Sequence, residues 1–567
     1  MVKERGMGED LKACEHRKAG VWDIFAVALL LLAYFIINRW VFGLWWLYDD
    51  PWLLKSVIET RWIDWFLSHK VWVSAFSPAN LTPWLPLSLK ADLSLAGLHA
   101  SFFHIHQFFS LSVALVLLYV FLRLFLPVPG AFLGGLIFLC GTPTKVVAHM
   151  LMTRHYVEGL VFALASMVFW FQGYRKKKRV LVLLSAVFYL LSVTAKELYA
   201  PLPLVLMCWP EGDLRDRLRK LFPLFGILIA YFLWRRWMLG SFVGGYARGG
   251  STYYHFSPLD VALFPKRVLE RMIPLRLWEW VFSFAGLVVA AMGFWKAGKE
   301  GRLAPFSLFA GSLLVAALGP ILPVSSIMTY RYTLVAWVAF SCCLAAGFKV
   351  FGKAGQWIWL MVLLVLVVGA FEGGRECIGD LKRGTKQWEA EGHFIFSHPD
   401  SGEDVLLTPI PHYPYYKGLR WIRTHYLGRP SGPRATCSKD RVGAVAFSVL
   451  SKKERGLWRY NPAKGRVERC WEKVAWKEQA APSHRLQVSI VRKAGEIKWK
   501  LGPYKKGDYG AIVGNQVYAI SRKGSSQDIF GSRPVAVRIL YVSRGSWYVI
   551  SPPLTLRREG EVKWPER

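Results

Sequence analysis

A polytopic α-helical membrane protein with a soluble, β-rich C-terminal domain is the fold class this sequence predicts, and three observations carry it. The 567 residues are 53% hydrophobic, include 27 Trp and have a mean hydropathy of +0.28, as befits a membrane chain rather than a soluble one. Apolar runs near the roughly 20 residues a helix needs to cross a bilayer recur from Val21 to Phe371 and then stop. Beyond residue 371, short β-branched runs alternate with Gly, Pro and charged turns, the pattern of a small β-rich domain.

The spans expected are 21–44, 107–126, 131–149, 157–174, 180–195, 198–209, 221–239, 277–295, 303–322, 334–348 and 356–371, about eleven in all. Their orientation follows from charge, because short loops rich in Lys and Arg stay on the cytoplasmic side. Arg175-Lys176-Lys177-Lys178-Arg179 is the strongest such loop in a chain of net charge +34. Counting from it puts residues 1–20 inside and 372–567 outside. The first apolar run has no small-residue cleavage site after it, so it reads as an anchor. The sixth span holds Pro201 and Pro203 and is expected to be tilted or broken.

Three pieces then lie outside the membrane: the loops 45–106 and 240–276 and the domain 372–567. In the first loop, Leu54, Ile58, Trp62 and Trp65 recur at helical spacing over Pro51–Phe66, an amphipathic helix suited to the membrane surface. The second opens on Gly244-Gly245-Tyr246-Ala247-Arg248-Gly249-Gly250, a flexible stretch without nucleotide-loop spacing. A helical segment bearing Lys266, Arg267 and Arg271 follows it. The third begins with a less regular linker over 372–434 and continues as strands. Its excess of Lys and Arg suits anionic headgroups or acidic glycans, or an ordinary soluble domain of a basic protein. The eight cysteines show no CxxC pair or zinc-finger spacing, and a Cys437–Cys470 bridge stays open.

Ionised side chains at membrane depth are costly and so mark function. On this topology they gather on the outer side. Asp49 and Asp50 end the first span. His106 leads into the second, and Arg154, His155 and Glu158 join the third and fourth. Lys196 and Glu197 join the fifth and sixth, and Arg331 and Tyr332 lie between the ninth and tenth. Each has a plainer alternative. Asp-Asp-Pro also ends helices, Lys196-Glu197 also suits a snorkelling ion pair, and histidines beside Phe102, Phe103 and Phe108 also suit packing.

Four of these stretches together resemble the GT-C fold glycosyltransferases, the membrane enzymes that use polyprenyl-phosphate-linked sugars, among them protein O-mannosyltransferases and aminoarabinose transferases. They are Tyr48-Asp49-Asp50, Thr153-Arg154-His155, the run Ala195-Lys196-Glu197-Leu198-Tyr199-Ala200-Pro201-Leu202-Pro203, and the run from Gly319-Pro320 to Arg331-Tyr332. The likeness covers residues 20–350. It departs where Thr333-Leu334-Val335 replaces the tyrosine-rich stretch usual after Arg-Tyr, and where the tail lacks helical repeats.

The resemblance implies a GT-C-like membrane domain and transfer, with inversion, of a sugar from polyprenyl phosphate to an acceptor hydroxyl at the outer face. Asp49 or Asp50 is the expected base. Arg154, Lys196, Glu197, Arg331, Tyr332, Arg248 and Arg271 are expected at the donor phosphate, with His106, His155 and Glu158 as further candidates. No cofactor is expected, although a divalent metal on the histidines stays open. The expected partners are the lipid-linked donor, an acceptor and membrane lipid, without nucleic acid, and a bacterial inner membrane is the expected home. A transporter or flippase of lipid-linked glycans, or a non-catalytic scaffold, are the alternatives.

Overall fold

The computed structural model describes the chain apart from residues 1–3, 76–79, 210–212, 243–257, 273–304, 323–327, 351–352, 400–404, 409–412, 431–432, 438–445, 447–456 and shorter stretches beyond 471. Two compact units result. The first comprises Met1–Leu44, Glu59–Tyr246 and Thr252–Lys382, the second Trp45–Ile58, Ala247–Ser251 and Arg383–Arg567.

In chain order the helices begin with α1 (Glu4–Asn38), α2 (Asp50–Glu59), α3 (Asp64–Leu67), α4 (His69–Ala75), α5 (Trp84–Ala96) and α6 (Ala100–Arg123). There follow α7 (Val128–Cys140), α8 (Thr142–His149), α9 (Arg154–Lys176), α10 (Arg179–Ala195), α11 (Leu202–Met207), α12 (Leu214–Leu239) and α13 (Pro258–Met272). The last are α14 (Pro305–Leu318), α15 (Leu334–Val350), α16 (Lys353–Ser397) and α17 (Tyr413–Trp421).

Among the described residues, Gly20–Gly43, Ala100–Arg123, Leu151–Lys176 and Leu214–Leu239 are long and apolar enough to cross a membrane. The first keeps Val21, Trp22, Ile24, Phe25 and Leu32 exposed, a stripe that suits hydrocarbon and not water. The pair α7–α8 adds a fifth span if counted as one, and Arg179–Ala195, Glu197–Met207 and Phe309–Leu322 are shorter apolar helices. The expected span 277–295 lies outside the described residues.

Several elements differ from the sequence-based expectation for local reasons. The expected span 131–149 bends by 58° at Gly141. The Trp337 indole lies where a Cβ on Gly141 would be, and its Nε1 donates to the Phe138 carbonyl at 2.9 Å. Thr144 Oγ1 donates to the same carbonyl at 2.6 Å, satisfying an acceptor that a break before Pro143 strands. The sixth span is broken: a 3₁₀ turn at Glu197–Tyr199 precedes α11, because Pro201 and Pro203 have no N–H to give. Helix α6 starts at Ala100 rather than Gln107, which brings His104 and His106 into it. The surface helix expected over Pro51–Phe66 stops at Glu59 and resumes as α3, where Arg61 Nε pairs with Asp64 at 3.0 Å. The stretch expected as an irregular linker is helical through Ser397, and its residues from Arg383 belong to the second unit.

The core of the first unit is apolar and packs closely. On α7, a Cβ on Gly134 would meet Leu122 and Ala345, and one on Gly135 would meet Leu30. Two adjacent glycines thus let α7 approach α6, α15 and α1 at once.

In the second unit, α17 lies on α2. A Cβ on Gly418 would meet the Pro51–Trp52 backbone, and Lys55 and Lys417 cover the Trp52 ring at 4.4 and 4.8 Å. The strands β1 (Val405–Thr408), β2 (Arg434–Cys437), β3 (Leu457–Asn461) and β4 (Arg466–Trp471) form one sheet in the order β2-β1-β3-β4, parallel except for the β3–β4 pair.

The strands β5 (Lys477–Glu478), β6 (Gln487–Lys493), β7 (Glu496–Gly502), β8 (Gly507–Val513), β9 (Gln516–Ile520), β10 (Lys523–Gln527), β11 (Val535–Ser543), β12 (Trp547–Ile550), β13 (Leu554–Leu556) and β14 (Gly560–Trp564) build two more sheets. One runs β10-β7-β6-β14, the other β5-β12-β11-β8-β9 with β13 on β11. Burial alternates along β6, which buries Val488, Ile490 and Arg492, the period expected of a strand with one face in a core. The two sheets share one apolar cluster, with Val488 and Ile490 from the first and Val537, Ile539 and Tyr541 from the second.

Candidate functional site

The first turn of α9 sorts its polar side chains by helical period. Arg154 and Glu158, four residues apart, share one side, whereas His155 and Tyr156 point elsewhere.

On the first side is a closed ionic cluster. Arg154 is fully buried. Its guanidinium donates to Asp92 Oδ2 at 2.5 Å, to Ser88 Oγ at 3.3 Å and to the Phe103 carbonyl at 2.6 Å. Ser88 Oγ donates to Glu158 Oε1 at 2.6 Å. His106 bridges the two acids, Nδ1 to Asp92 Oδ1 at 2.7 Å and Nε2 to Glu158 Oε1 at 3.4 Å. Ser88 and Asp92 come from α5, His106 from α6, and Arg154 and Glu158 from α9. The cluster therefore ties three helices together with charges that largely cancel. Arg154 and Glu158, expected near a donor, are here occupied with each other's surroundings.

On the other side stand Lys196 and Arg331. Lys196 is 6% exposed; its Nζ donates to Asn80 Oδ1 at 3.0 Å and stands 4.9 Å over the Tyr156 ring. The Tyr156 and Tyr332 rings are 6.4 Å apart, and the Arg331 guanidinium lies 5.3 Å over Tyr332 and 3.6 Å from Met152 Sδ. The His155 ring is tilted against that of Tyr156, centroids 4.5 Å apart, and feels the field of both Lys196 and Arg331. Burial pushes the Lys196 ammonium down to about 8; Glu197 opposes this, while Arg331 and Arg235 add to it.

Glu197 does not neutralise the pair on its own, being held elsewhere. Its Oε1 accepts from Leu81 N and from Arg235 Nε, both at 2.9 Å, and Arg235 is fully buried. Arg271 of α13 lies over the Tyr330 ring at 5.2 Å, one residue from Arg331, while Arg267 pairs with Asp260. Arg248 lies outside the described residues.

Below this group an apolar groove runs along α9. It is narrow, about 40 Å³, and Leu160, Ala163 and Met167 line it with Leu198, Leu202, Val205, Leu313, Val335 and Val338. Leu198 follows the Lys196-Glu197 pair directly, and Val335 is four residues past Arg331. Cations thus stand at the head of a slot with hydrocarbon walls.

Asp49 and Asp50 belong to the second unit. Tyr48 adopts a left-handed φ of 46°, turning the chain so that Asp50 Oδ2 accepts from Leu47 N at 2.8 Å while Asp50 N donates to Leu47 O at 2.9 Å. Asp50 is buried, and Asp49 is half-buried. The Asp49 carbonyl accepts from Leu53 N at 2.9 Å to open α2. The two carboxylates are therefore not equivalent. That of Asp50 folds the turn.

Among the described residues, no group of three or more His, Cys, Asp or Glu is placed to hold a metal ion; between Asp92 and Glu158 the positive charge is the Arg154 guanidinium. Sequence reasoning missed Asp92, Ser88, Asn80 and Arg235. The signal for Asp92 was present, since Leu85, Leu89 and Asp92 fall on one helical face and all three are buried. An acid in register with apolar residues announces a buried partner.

No family model matches the chain, and no curated protein matches it. Among solved structures it is similar to ArnT from Cupriavidus metallidurans bound to undecaprenyl phosphate, at 13% identity and a TM-score of 0.42 over 76% of this chain and 89% of that one. It is similar also to the Archaeoglobus fulgidus oligosaccharyltransferase in the apo form, at 10% identity and a TM-score of 0.43 over 71% of this chain and 64% of that one. The archaeal enzyme with an inhibitory peptide and a dolichol-phosphate gives 11% identity and a TM-score of 0.41 over 71% and 63%.

Proposed function

We propose that this protein is an integral membrane glycosyltransferase of the GT-C kind, moving a sugar from a polyprenyl-phosphate donor to an acceptor hydroxyl at the outer face of the membrane with inversion. One observation carries the reading: the Lys196 and Arg331 cations stand near an apolar hollow along α9 inside a helical unit. A lipid phosphate has that pattern in complement, an anion on a hydrocarbon chain. The phosphate sits on Lys196 and Arg331, with Arg271 near Tyr330 as a further cation. The isoprenoid chain follows Leu160, Ala163 and Met167.

The chemistry is a single displacement. The acceptor oxygen bonds to the anomeric carbon, the bond from that carbon to the phosphate oxygen breaks, and the acceptor proton passes to a carboxylate. Asp49 is the proposed base, being half-buried where Asp50 is buried and accepts from Leu47 N. The leaving phosphate gains charge as the bond breaks, so fixed cations favour the transition state over the ground state. Arg154, Glu158 and His106 act as positioning residues that fix the start of α9.

The test is transfer of radiolabelled sugars from polyprenyl phosphates to an acceptor extract in membranes holding wild type, Asp49→Asn, Lys196→Ala or Arg331→Ala. Wild type transfers label, and each variant loses about a hundredfold, the size of a lost electrostatic contact to a developing anion. Transfer retained in all three variants overturns the assignment. Sugar that crosses sealed vesicles without being transferred points instead to a transporter.

A further inference from the structure

A hollow lies in the second unit, between the two sheets built from β5–β14, and it is independent of the transferase reading. It has a volume of about 450 Å³, within the range of roughly 300–1,000 Å³ typical of small-molecule sites. Strand register explains why it exists. In one sheet Ile490, Trp499 and Gly524 stand in a row across β6, β7 and β10. In the other Ile539, Ala511 and Tyr518 stand in a row across β11, β8 and β9. Each row puts a residue with little or no side chain beside large ones: the Trp499 ring fills the place beside Gly524, and the facing sheets leave space at Ala511.

The walls are Ile490, Ile497, Val537, Ile539 and Leu556, and Ser521, Ser525 and Ser526 lie along one side. Trp499 is fixed there: its Nε1 donates to Ser521 O at 2.9 Å, and a Cβ on Gly524 would collide with its ring. Apolar walls leave water with few polar partners, and walls without contact atoms lose dispersion energy. The occupant that meets both conditions is hydrocarbon with a small polar end.

We propose that this hollow binds one alkyl chain of a single-chain amphiphile, a fatty acid or fatty alcohol, with its head at the serines and its chain between the sheets. The membrane that the apolar helices of this chain occupy supplies such molecules. A phospholipid with two chains exceeds the space.

The test uses the full-length protein in lipid nanodiscs with a palmitate analogue carrying a diazirine near the chain end. After irradiation, adducts are expected on peptides containing Ile490, Ala511 and Ile539, and an excess of ordinary palmitate suppresses them. Filling the hollow by Ala511→Phe reduces that labelling by roughly tenfold, while labelling of the 20–43 helix stays unchanged. No adduct in the second unit while that helix is labelled overturns the proposal, as does labelling that palmitate fails to compete. A phosphatidylcholine bearing the same diazirine is the second arm. Equal labelling of the hollow by this two-chain lipid overturns the single-chain assignment. Should Ala511→Phe fail to fold, the competition on wild type decides.

Discussion

Two polar clusters flank the first turn of α9, and they are built on opposite principles. Around Arg154, Asp92, Ser88 and the Phe103 carbonyl accept from one buried guanidinium, and Ser88 and His106 link it to Glu158. Around Lys196, the ammonium rests on a tyrosine ring and an amide oxygen, and the adjacent acid Glu197 accepts from Arg235 and Leu81 N. A buried charge that is fully paired is scaffold, because any ligand that took it would leave its partner stranded. A buried ammonium held by a ring and an amide oxygen, as at Lys196, has capacity left for an anion. The difference teaches that charge balance, more than the presence of charge, separates architecture from site.

The largest effect should come from breaking the balanced side. Arg154→Ala leaves Asp92 and Glu158 buried without their cation, a loss of about 3–5 kcal/mol. The expected result is a protein that accumulates poorly and melts early in detergent, partly restored by adding Asp92→Asn. Arg154→Ala that melts like wild type while losing transfer would place Arg154 in the site and erase the contrast.

A buried acid held by neutral donors sharpens the contrast from the second unit. Glu391 is fully buried, its Oε1 accepting from Gln387 at 2.7 Å and its Oε2 from Tyr416 at 2.5 Å, with Thr408 at 3.5 Å. Burial pushes its carboxyl up to about 7 against these hydrogen bonds. A folded-state value above the unfolded one means stabilisation present in full below about pH 4.5 and lost as pH rises through about 7, roughly 3 kcal/mol in all. Amide exchange in β1 and α17 should accelerate over that range. Glu391→Gln keeps the contacts without the proton and should flatten the profile. A profile that is already flat in wild type would show that Glu391 carries its charge comfortably.

On the unbalanced side the expectation is a loss in function with little loss in fold. Lys196→Ala and Arg331→Ala should keep their melting temperatures within a few degrees and lose transfer by about a hundredfold, near 2.7 kcal/mol. The pH profile separates the two residues. Lys196 carries its charge below about 8, so donor binding should fall as pH rises past that value. Removing Arg331 relieves repulsion on Lys196, and the falling limb should move to higher pH in Arg331→Ala. A limb that stays in place would mean the two cations do not share a field.

Much of this was legible in the sequence, and the misses have physical causes. Apolar runs gave the helices because hydrocarbon length is a local property. Lys196, Arg331 and the Asp pair stood out as charges at span junctions. The bend at Gly141 was hidden because it depends on Trp337, a partner far along the chain. The neutralisation of Arg154 was hidden for the same reason, since Asp92 lies in a stretch read as an outer loop. Glu391 was missed because residues after 371 read as irregular, whereas α16 runs through them.

The smallest effect concerns the two neighbouring aspartates, where the same reasoning applies within one dipeptide. Asp50 has spent a carboxylate oxygen on Leu47 N, in a turn that Tyr48 enters with a left-handed φ. Asp49 contributes its carbonyl to α2 and keeps its side chain half-buried. Asp50→Ala should therefore lower stability by about 2 kcal/mol, the size of a hydrogen bond to a charged group, and reduce activity in proportion to folded protein. Asp49→Asn should leave melting unchanged and lower transfer by about a hundredfold. Urea or thermal melts read beside transfer per folded molecule distinguish the two. Were Asp49→Asn the unstable variant and Asp50→Ala the inert but well-folded one, the roles would be exchanged, and engagement of a carboxylate by its own turn would cease to be a guide to which acid takes the proton.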